Sequence, residues 1–230
     1  MTPQFSWPTI ASLTLVAAAA TFSGEVHANL LANAGFETTA FTASSNVLGN
    51  FAGNQGTWGI LAGGITPATA GVTPAGGAQM LCMVGAGQLS TMTVQAVDVS
   101  SYAALIGSGN AQLIASALFN TNGGYSGANG RLRVRFFSGP SQTSLVGSTS
   151  IASLILDATP ATWEQASVSA VIPVNTTWIM YEVNYSGASL AGNTGFVDDA
   201  SMTITAVPAP GAVVLVGLAG LLRRRSRMRS

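Results

Sequence analysis

The stretch RLRVRFF at residues 131–137 decides the fold class. Leu132, Val134 and Phe136 share one parity along this stretch, and three arginines occupy the alternate positions. Because successive side chains of a β-strand point to opposite faces, the alternation predicts a strand with one buried and one solvated face. Comparable apolar or alternating segments lie at residues 79–84, 89–99, 112–119, 163–174, 177–185 and 194–205. Gly, Asn and Pro separate them, so the body is predicted to be all-β, an antiparallel β-sandwich.

Two further segments refine this prediction. Within residues 89–99, positions 92, 94 and 96 are apolar and positions 91, 93 and 95 are polar. This pattern is typical of a strand that buries one face and exposes the other. Residues 49–77 are rich in Gly, Thr and Pro, which predicts long loops around one short strand near Trp58.

Charged residues are scarce and unevenly placed along the 230-residue chain. It has no lysine, and five of its eight arginines lie in the last eight residues. Residues 29–206 keep three arginines and seven acidic residues, a net charge of −4. Such a body argues against nucleic-acid binding, which requires clustered cations. The single cysteine, Cys82, excludes an internal disulfide, and its apolar surroundings favour a packed thiol over a reactive one.

Residues 1–28 are predicted to be a signal peptide with a helical apolar centre. Residues 10–21 are rich in Leu, Val and Ala, and Val26 and Ala28 occupy the −3 and −1 positions of a small-residue cleavage site. Cleavage after Ala28 would leave Asn29 as the first residue of the mature protein. The apolar stretch is shorter than the roughly 20 residues of a membrane span, which disfavours a permanent anchor.

The C-terminus, residues 207–230, has three consecutive parts. A proline-containing start is followed by an apolar run at residues 212–222 and then by an arginine cluster. Because a basic cluster after an apolar helix stays on the cytoplasmic side, the tail is predicted to insert as a transmembrane-like helix. The run is about 16 Å long at 1.5 Å per residue, which suits a transient sorting signal better than a permanent anchor. A short buried helix with a basic end is the alternative.

This layout resembles the PEP-CTERM sorting signal of bacterial proteins, which is recognised by exosortase, a membrane protease-transpeptidase. The residues that carry the resemblance are Val207, Pro208, Ala209, Pro210, Arg223, Arg224 and Arg225. Ala209 stands where the family most often has Glu. The resemblance implies transient inner-membrane association, removal of the tail near Pro208, and release of the body or its attachment to extracellular material.

The two ends of the body carry a second resemblance. The body opens with NLLANAGFE at residues 29–37 and closes with GFVDDASM at residues 195–202. Both stretches resemble the ends of jelly-roll domains of the carbohydrate-binding, galactose-binding-like type, which implies a jelly roll over residues 29–206. In that family a structural calcium often ties the first strand to the last. Glu37 and Asp198 stand at the matching positions, so they are the candidate calcium ligands.

The parity of the last strand bears on this candidate metal site. It predicts that Asp198 shares a core-facing side with Ala200, Met202 and Ile204. A carboxylate buried there requires a partner, and calcium would supply one because it coordinates carboxylate and carbonyl oxygens. The alternative is that Glu37 and the two adjacent aspartates are solvated or hydrogen-bonded to loop amides.

Ligand contacts are predicted at loop aromatics, because a sugar-binding module of this type stacks rings on exposed aromatic side chains. Trp58, Tyr102 and Tyr125 lie in or near predicted loops, and of these Trp58 and Tyr125 are the ligand-binding candidates. The alternative is that each packs against its own loop. The arginine row at positions 131, 133 and 135 would form a positive ridge. That ridge could bind an anionic polysaccharide or pair with acids such as Glu164 or Glu182, and a plain solvated face is the competing interpretation.

Catalysis has few candidate residues. The only histidine, at position 27, lies in the predicted signal peptide, and the body has no lysine, so the usual bases for a Ser or Cys nucleophile are missing. A carboxylate-based glycosidase stays open, although the one adjacent pair, Asp198 and Asp199, would point to opposite faces of a strand. The sequence therefore predicts a non-enzymatic surface or extracellular matrix protein, processed by exosortase and associated with exopolysaccharide. The alternative is a lectin-like carbohydrate-binding module.

Overall fold

Two β-sheets face each other in the computed structural model, which describes residues 28–44, 46, 48–84, 90–123, 127–187 and 194–207. Tyr125, the predicted signal peptide up to residue 27 and the predicted sorting tail after Val207 lie outside these residues. Across the described ranges, no helix is long and apolar enough to cross a membrane.

Strands and short helical segments alternate along the described chain. The strands are β1 (Phe41–Ala43), β2 (Trp58–Ile60), β3 (Gly64–Thr66), β4 (Met80–Val84), β5 (Ser90–Asp98), β6 (Ala111–Thr121), β7 (Asn129–Phe137), β8 (Leu145–Ile155), β9 (Glu164–Val171), β10 (Trp178–Ser186) and β11 (Thr194–Ala206). A short α-helix, α1, spans Ala103–Gly107, and 3-10 turns lie at Ala52–Asn54, Ser100–Tyr102 and Gln142–Ser144.

The strand order confirms an antiparallel β-sandwich. Six strands in the order β1-β2-β5-β10-β7-β8 form one sheet, and five strands in the order β3-β4-β11-β6-β9 form the other. Neighbouring strands pair antiparallel, apart from the short parallel pair of β1 with β2. Each segment predicted as a strand contains one, and the short strand expected near Trp58 is β2. The alternation does not predict β1, β3 or β8.

The core lies between the two sheets and is lined by alternate residues of their central strands. On β7, Leu132, Val134 and Phe136 belong to it, as the alternation predicts, while the arginines of the other parity stay partly exposed. Tyr181 of β10 crosses the core and donates its hydroxyl proton to the carbonyl of Ser116 on β6 at 2.5 Å. The two sheets are therefore joined by both apolar packing and a buried hydrogen bond.

β5 differs from the expected one-sided strand because both of its faces are buried. Val97 belongs to the core between the sheets, so the polar residues at positions 91, 93 and 95 face inward with it. The apolar residues of the other parity face outward into a second cluster. That cluster consists of Phe51, Val94, Ala96, Phe137 and Met180. Loop residues around Phe51 thus cover one end of the outer face of the six-stranded sheet.

The segment 29–36 links the two sheets before the first strand begins. The buried side chain of Gln95 on β5 accepts from the amide of Ala32 at 2.8 Å and donates to its carbonyl at 3.0 Å. On the opposite sheet, the side chain of Asn29 donates to the carbonyl of Ala200 at 2.8 Å and accepts from the amide of Met202 at 3.0 Å. The bonds of Gln95 explain why this polar residue is retained on the inner face of β5: they satisfy the backbone of an irregular segment.

Cys82 is half-buried on the outer side of the five-stranded sheet. It packs beside the cluster of Val72, Met80 and Phe196. Burial raises the pKa of its thiol, which lowers the thiolate fraction that a nucleophile would need. The thiol is therefore a packing group, as the sequence favours.

Candidate functional site

The arginine row lies on the outer face of the six-stranded sheet, in register with outward side chains of three neighbouring strands. Cross-strand neighbours on β5, β10, β7 and β8 form three rows: Val94, Glu182, Arg133 and Ile151; Met92, Asn184, Arg131 and Ser153; Ser90, Ser186, Asn129 and Ile155. We call these three rows, together with Arg135, the arginine face. Side chains this close across a sheet act on one another and on any ligand that lies over them.

Glu182 is the charged centre of the arginine face. Its side chain is fully buried, and its Oε2 accepts a hydrogen bond from Nη2 of Arg135 at 2.6 Å. Nε of Arg133 lies 3.5 Å from Oε1 of the same carboxylate. Two arginines of the row therefore pair with Glu182, as predicted. Glu164 does not take part in this pairing, and its Oε2 accepts a hydrogen bond from the backbone amide of Asp157.

Arg131 differs from the other two arginines of the row. It makes no ion pair with any described residue, and its cross-strand neighbours are Asn184 and Ser153. Three arginines and one glutamate give the arginine face a net charge of +2, although residues 29–206 as a whole carry −4. The face therefore combines a structural ion pair with one cation that is available to an outside group.

Aromatic side chains border the covered end of the arginine face. Phe51 contacts Phe137 edge-to-face, with ring centroids 5.3 Å apart, and contacts Trp178 in the same way at 5.9 Å. Trp178 is half-buried and has the same parity on β10 as Glu182, so its ring lies at the rim of the face. The sequence indicates this placement because positions 178, 182 and 184 are all even-numbered and therefore point to the same face of the strand.

Trp58 is not a ligand-stacking residue. Its side chain is fully buried in the core, its Nε1 donates to the carbonyl of Asn33 at 3.0 Å, and its ring packs on Phe36 and Tyr181. The prediction of an exposed stacking platform at Trp58 is wrong, because the short strand β2 places the ring between the sheets. The other aromatic candidate, Tyr125, lies outside the described residues.

The candidate calcium ligands converge on one loop, at residues 75–79. Both carboxylate oxygens of Glu37 accept from the amide of Ala78, at 3.2 and 3.0 Å. Oδ2 of Asp198 accepts from the amides of Ala75 and Gly76, at 2.8 and 3.2 Å. Both carboxylates are thus hydrogen-bonded to loop amides, which is the sequence-based alternative to calcium binding.

Asp198 does not share the core-facing side of β11. A β-bulge lies between Asp198 and Ser201, and Asp199 within it has a left-handed backbone with φ of 45°. The extra residue shifts the parity of the strand, so Asp198 lies on the outer side of the five-stranded sheet while Met202 faces the core. The predicted core-facing position of Asp198 is therefore wrong, although its side chain is fully buried under the loop.

The electrostatics of this loop favour hydrogen-bonded carboxylates. Burial raises the pKa of Asp198 to about 6, and the amides of Gly76, Asp199 and Ala75 oppose the shift by stabilising the ionised form. Gly77 has φ of 59°, and a Cβ at this position would collide with the Glu37 carboxylate, so the close approach requires glycine. No group of three or more metal-ligating side chains in the described ranges is placed to hold an ion. Backbone N–H donors therefore occupy these carboxylate oxygens, and calcium binding stays a prediction.

Comparisons with known proteins support the fold. No family model matches the chain, and no curated protein matches it. Among solved structures, the carbohydrate-binding module TmCBM61, solved in complex with β-1,4-galactotriose, has 17% identity and a TM-score of 0.51, and the match covers 76% of this chain and 98% of that one. A Stig cyclase from Fischerella sp. TAU has 11% identity and a TM-score of 0.50, with 78% and 98% covered. A candidate sugar-binding protein from Bacteroides thetaiotaomicron VPI-5482 has 9% identity and a TM-score of 0.49, with 77% and 100% covered.

The neighbours thus include carbohydrate-binding modules and sugar-binding proteins with a β-sandwich fold, together with some enzymes. At such identities the likeness concerns the fold alone. It confirms the β-sandwich of the second resemblance, whereas no family model supports the predicted sorting tail.

Proposed function

We propose that this protein is an exported, non-enzymatic carbohydrate-binding protein that binds an acidic glycan on its arginine face. The observation that carries the proposal is the alignment of all three arginines of residues 28–207 on the outer face of one sheet, with Arg131 in no ion pair with a described residue. This is the lectin-like alternative that the sequence predicts, with the ligand contacts on the arginine face in place of Trp58.

The chemistry of the face suits a polysaccharide with carboxylate or sulfate groups. A guanidinium binds a carboxylate through two parallel hydrogen bonds, which gives both strength and orientation. Ser153, the exposed neighbour of Arg131 on β8, offers a hydroxyl that can hydrogen-bond to a sugar. Trp178 at the rim adds a half-exposed ring for an apolar sugar face. TmCBM61 with its bound galactotriose provides a precedent for glycan binding on a sandwich of this kind.

A catalytic role is not part of the proposal. The one acid in the rows of the arginine face is Glu182, and its carboxylate is engaged by two arginines. A glycosidase requires a second carboxylate about 5–10 Å away and a proton or nucleophile that is free to react. The paired Glu182 therefore acts as a structural anion that holds the arginines in place.

Replacing Arg131 with alanine is expected to weaken binding to an anionic polysaccharide by about 10- to 100-fold, the range for loss of a charge-assisted hydrogen bond. Affinity electrophoresis in gels with polygalacturonate measures the dissociation constant, and neutral β-1,4-galactan is the comparison polymer. Added salt should weaken the wild-type interaction, because exposed charges are screened.

The matched control is Gln112→Ala. Gln112 is a half-buried polar residue on β6 of the opposite sheet, bonded to Ser169 at 2.7 Å, and its loss should leave polysaccharide binding unchanged. Equal retention of Arg131→Ala and the wild type in polygalacturonate would contradict the proposed site. If the wild type migrates equally in gels with polygalacturonate, with β-1,4-galactan and with no polymer, the result would contradict glycan binding itself.

The proposal also includes export and processing of the tail by exosortase, which would deliver the body to extracellular polysaccharide. It is supported by the three-part tail and by hydrogen bonds at both ends of the body. Asn29 bonds to the backbone of β11, and the amide of Val207 donates to the carbonyl of Asn110 at 2.8 Å. Cleavage after Ala28 and near Pro208 would therefore leave the hydrogen-bonded body whole.

Intact mass spectrometry of the protein from its native host, on cell and medium fractions, tests the processing. The expected mass corresponds to residues 29 to about 208. A mature protein that retains residues 212–230 would refute removal of the tail, and one that retains residues 1–28 would refute cleavage of the signal peptide.

A further inference from the structure

β8 is an unusually long and open sheet edge. Within the described residues it pairs only with β7, so its other side presents backbone N–H and C=O groups over eleven residues. The opposite edge of the same sheet, β1, has three residues, as has the edge β3 of the other sheet. The remaining edge, β9, has eight residues and begins with Glu164. Short edges offer few hydrogen bonds to an added strand, and β8 is the longest of the four described edges.

The sequence of β8 contains none of the usual protections of an edge. The stretch LVGSTSIASLI carries no charged residue and no proline. Natural sheets guard long edges with lysines, prolines or inward-pointing charges, because an unprotected edge pairs with other chains. Gly147, with φ of 68°, interrupts the beginning of the strand, so residues 150–155 form its regular part.

Exposed aliphatic side chains mark the same strand. Leu145, Ile151 and Ile155 are 49%, 53% and 70% exposed, and they share one parity on the outer side of the sheet. Most other exposed large hydrophobic residues of the described ranges are valines near the ends of β9 and β11. An isoleucine that is 70% exposed at a sheet edge loses unfavourable contact with water when a second strand covers it.

We infer that β8 is a homodimer interface, at which β8 of a second copy pairs antiparallel to it around Ser153. In this register Ile151 lies opposite Ile155 of the second copy, and Ile155 lies opposite its Ile151. Both apolar pairs fall on the same side of the joined sheet, because their positions share one parity. A strand that satisfies its own pattern in this way is self-complementary, as a two-fold interface must be.

The lack of charged residues on β8 allows a second copy to approach this edge. Two bodies of net charge −4 repel each other, and the repulsion is smallest where an uncharged strand meets its own copy. The pairing would also join the two six-stranded sheets into one, with both arginine faces on the same side. The inference concerns association only and stands whether or not the arginine face binds a glycan.

The test is the oligomeric state of the full-length protein, measured by size-exclusion chromatography with light scattering over a concentration series. The wild type is expected to reach twice the 23.2 kDa chain mass. Ile151→Lys should raise the dimer dissociation constant about tenfold or more, because it places one charge per copy in a pair that is otherwise apolar. The matched control is Ile114→Lys, which changes an isoleucine that is 47% exposed on β6, away from β8.

A cross-link locates the interface independently of stability. Directly opposed residues in antiparallel strands have Cα atoms about 4.5–5.5 Å apart, within the range of a disulfide. Ser153→Cys in a Cys82→Ser background should therefore form a covalent dimer on oxidation, while Thr205→Cys on β11 should not. A monomeric wild type, a dimer that Ile151→Lys leaves intact, or an absent Ser153→Cys cross-link in a dimeric protein would each overturn the inference. Circular dichroism of each variant separates dissociation from unfolding.

Discussion

Replacing Arg135 with alanine is expected to lower the free energy of unfolding by about 3–5 kcal/mol, the range for removing one partner of a buried ion pair. The carboxylate of Glu182 has no solvent exposure, and its shortest contact is the 2.6 Å bond to Arg135. Without that bond the charge stays buried with only Arg133, whose Nε is 3.5 Å from the other oxygen. Urea unfolding followed by circular dichroism measures the change.

Arg131→Ala is the matched control for this substitution. Arg131 has the same parity on the same strand but forms no ion pair with a described residue, so its loss should change stability by about 0.5 kcal/mol or less. Arg135→Ala combined with Glu182→Leu should be more stable than Arg135→Ala alone, because the second change removes the unpaired charge. Equal stability losses for Arg131→Ala and Arg135→Ala would contradict the structural role of the ion pair.

The two arginine substitutions also separate the roles assigned to the row. Arg131→Ala should reduce glycan binding without affecting stability, whereas Arg135→Ala should reduce stability first. This difference follows from Glu182, because one acid in the centre of the row holds two arginines and leaves the third outside the pair. A row of three solvated arginines, the plain alternative, would give three similar variants.

The sequence predicts correctly those strands that have one buried face and one solvated face. β7 has apolar residues toward the core and arginines on the outside, so its period-2 pattern is complete and its orientation follows directly. β5 shows the same periodicity, but both of its faces are buried, and its polar face is the inner one. Parity alone could not reveal this, because Gln95 is buried to bond the backbone of residue 32, a partner 63 positions away in sequence.

Edges and irregular backbone limit the prediction elsewhere. β8 has exposed isoleucines on its outer side and Val146, Ala152 and Leu154 packed toward the core, so apolar residues lie on both sides and its pattern does not resemble a half-buried strand. On β11, the predicted parity holds from Ala200 onward, whereas Asp198 lies on the opposite side, because the bulge at the left-handed Asp199 changes the parity between them. Both errors have a local cause that neither composition nor periodicity encodes.

Trp58 is the residue for which the sequence was most misleading. It lies in a Gly-, Thr- and Pro-rich region without periodicity, and its strand has only three residues, so no pattern indicates burial. In the structure its ring packs on Phe36 at 4.9 Å and on Tyr181 at 5.8 Å. It also bonds the carbonyl of Asn33, which belongs to the segment that links the two sheets.

Trp58→Ala is therefore expected to lower the free energy of unfolding by about 3–5 kcal/mol, the range for removing a large buried aromatic side chain. Trp58→Phe keeps most of the apolar ring and loses the hydrogen bond to Asn33, so it should cost less, about 1–3 kcal/mol. Urea unfolding of both variants gives the comparison. Trp163→Ala is the matched control, because Trp163 makes the same kind of bond, to Thr73 at 3.0 Å, from a half-buried position, and should cost less than Trp58→Ala.

Binding measurements on Trp58→Phe decide between a core residue and a ligand contact. The variant is expected to stay folded and to bind polygalacturonate with the dissociation constant of the wild type, because the fully buried ring is separated from any ligand. Loss of binding in a folded Trp58→Phe protein, with Arg131→Ala unaffected, would instead place the ligand at the β2 end of the sandwich. A ligand on the arginine face and a ligand at Trp58 thus predict opposite effects of Arg131→Ala and Trp58→Phe on the dissociation constant. Titration of both variants with polygalacturonate distinguishes the two sites.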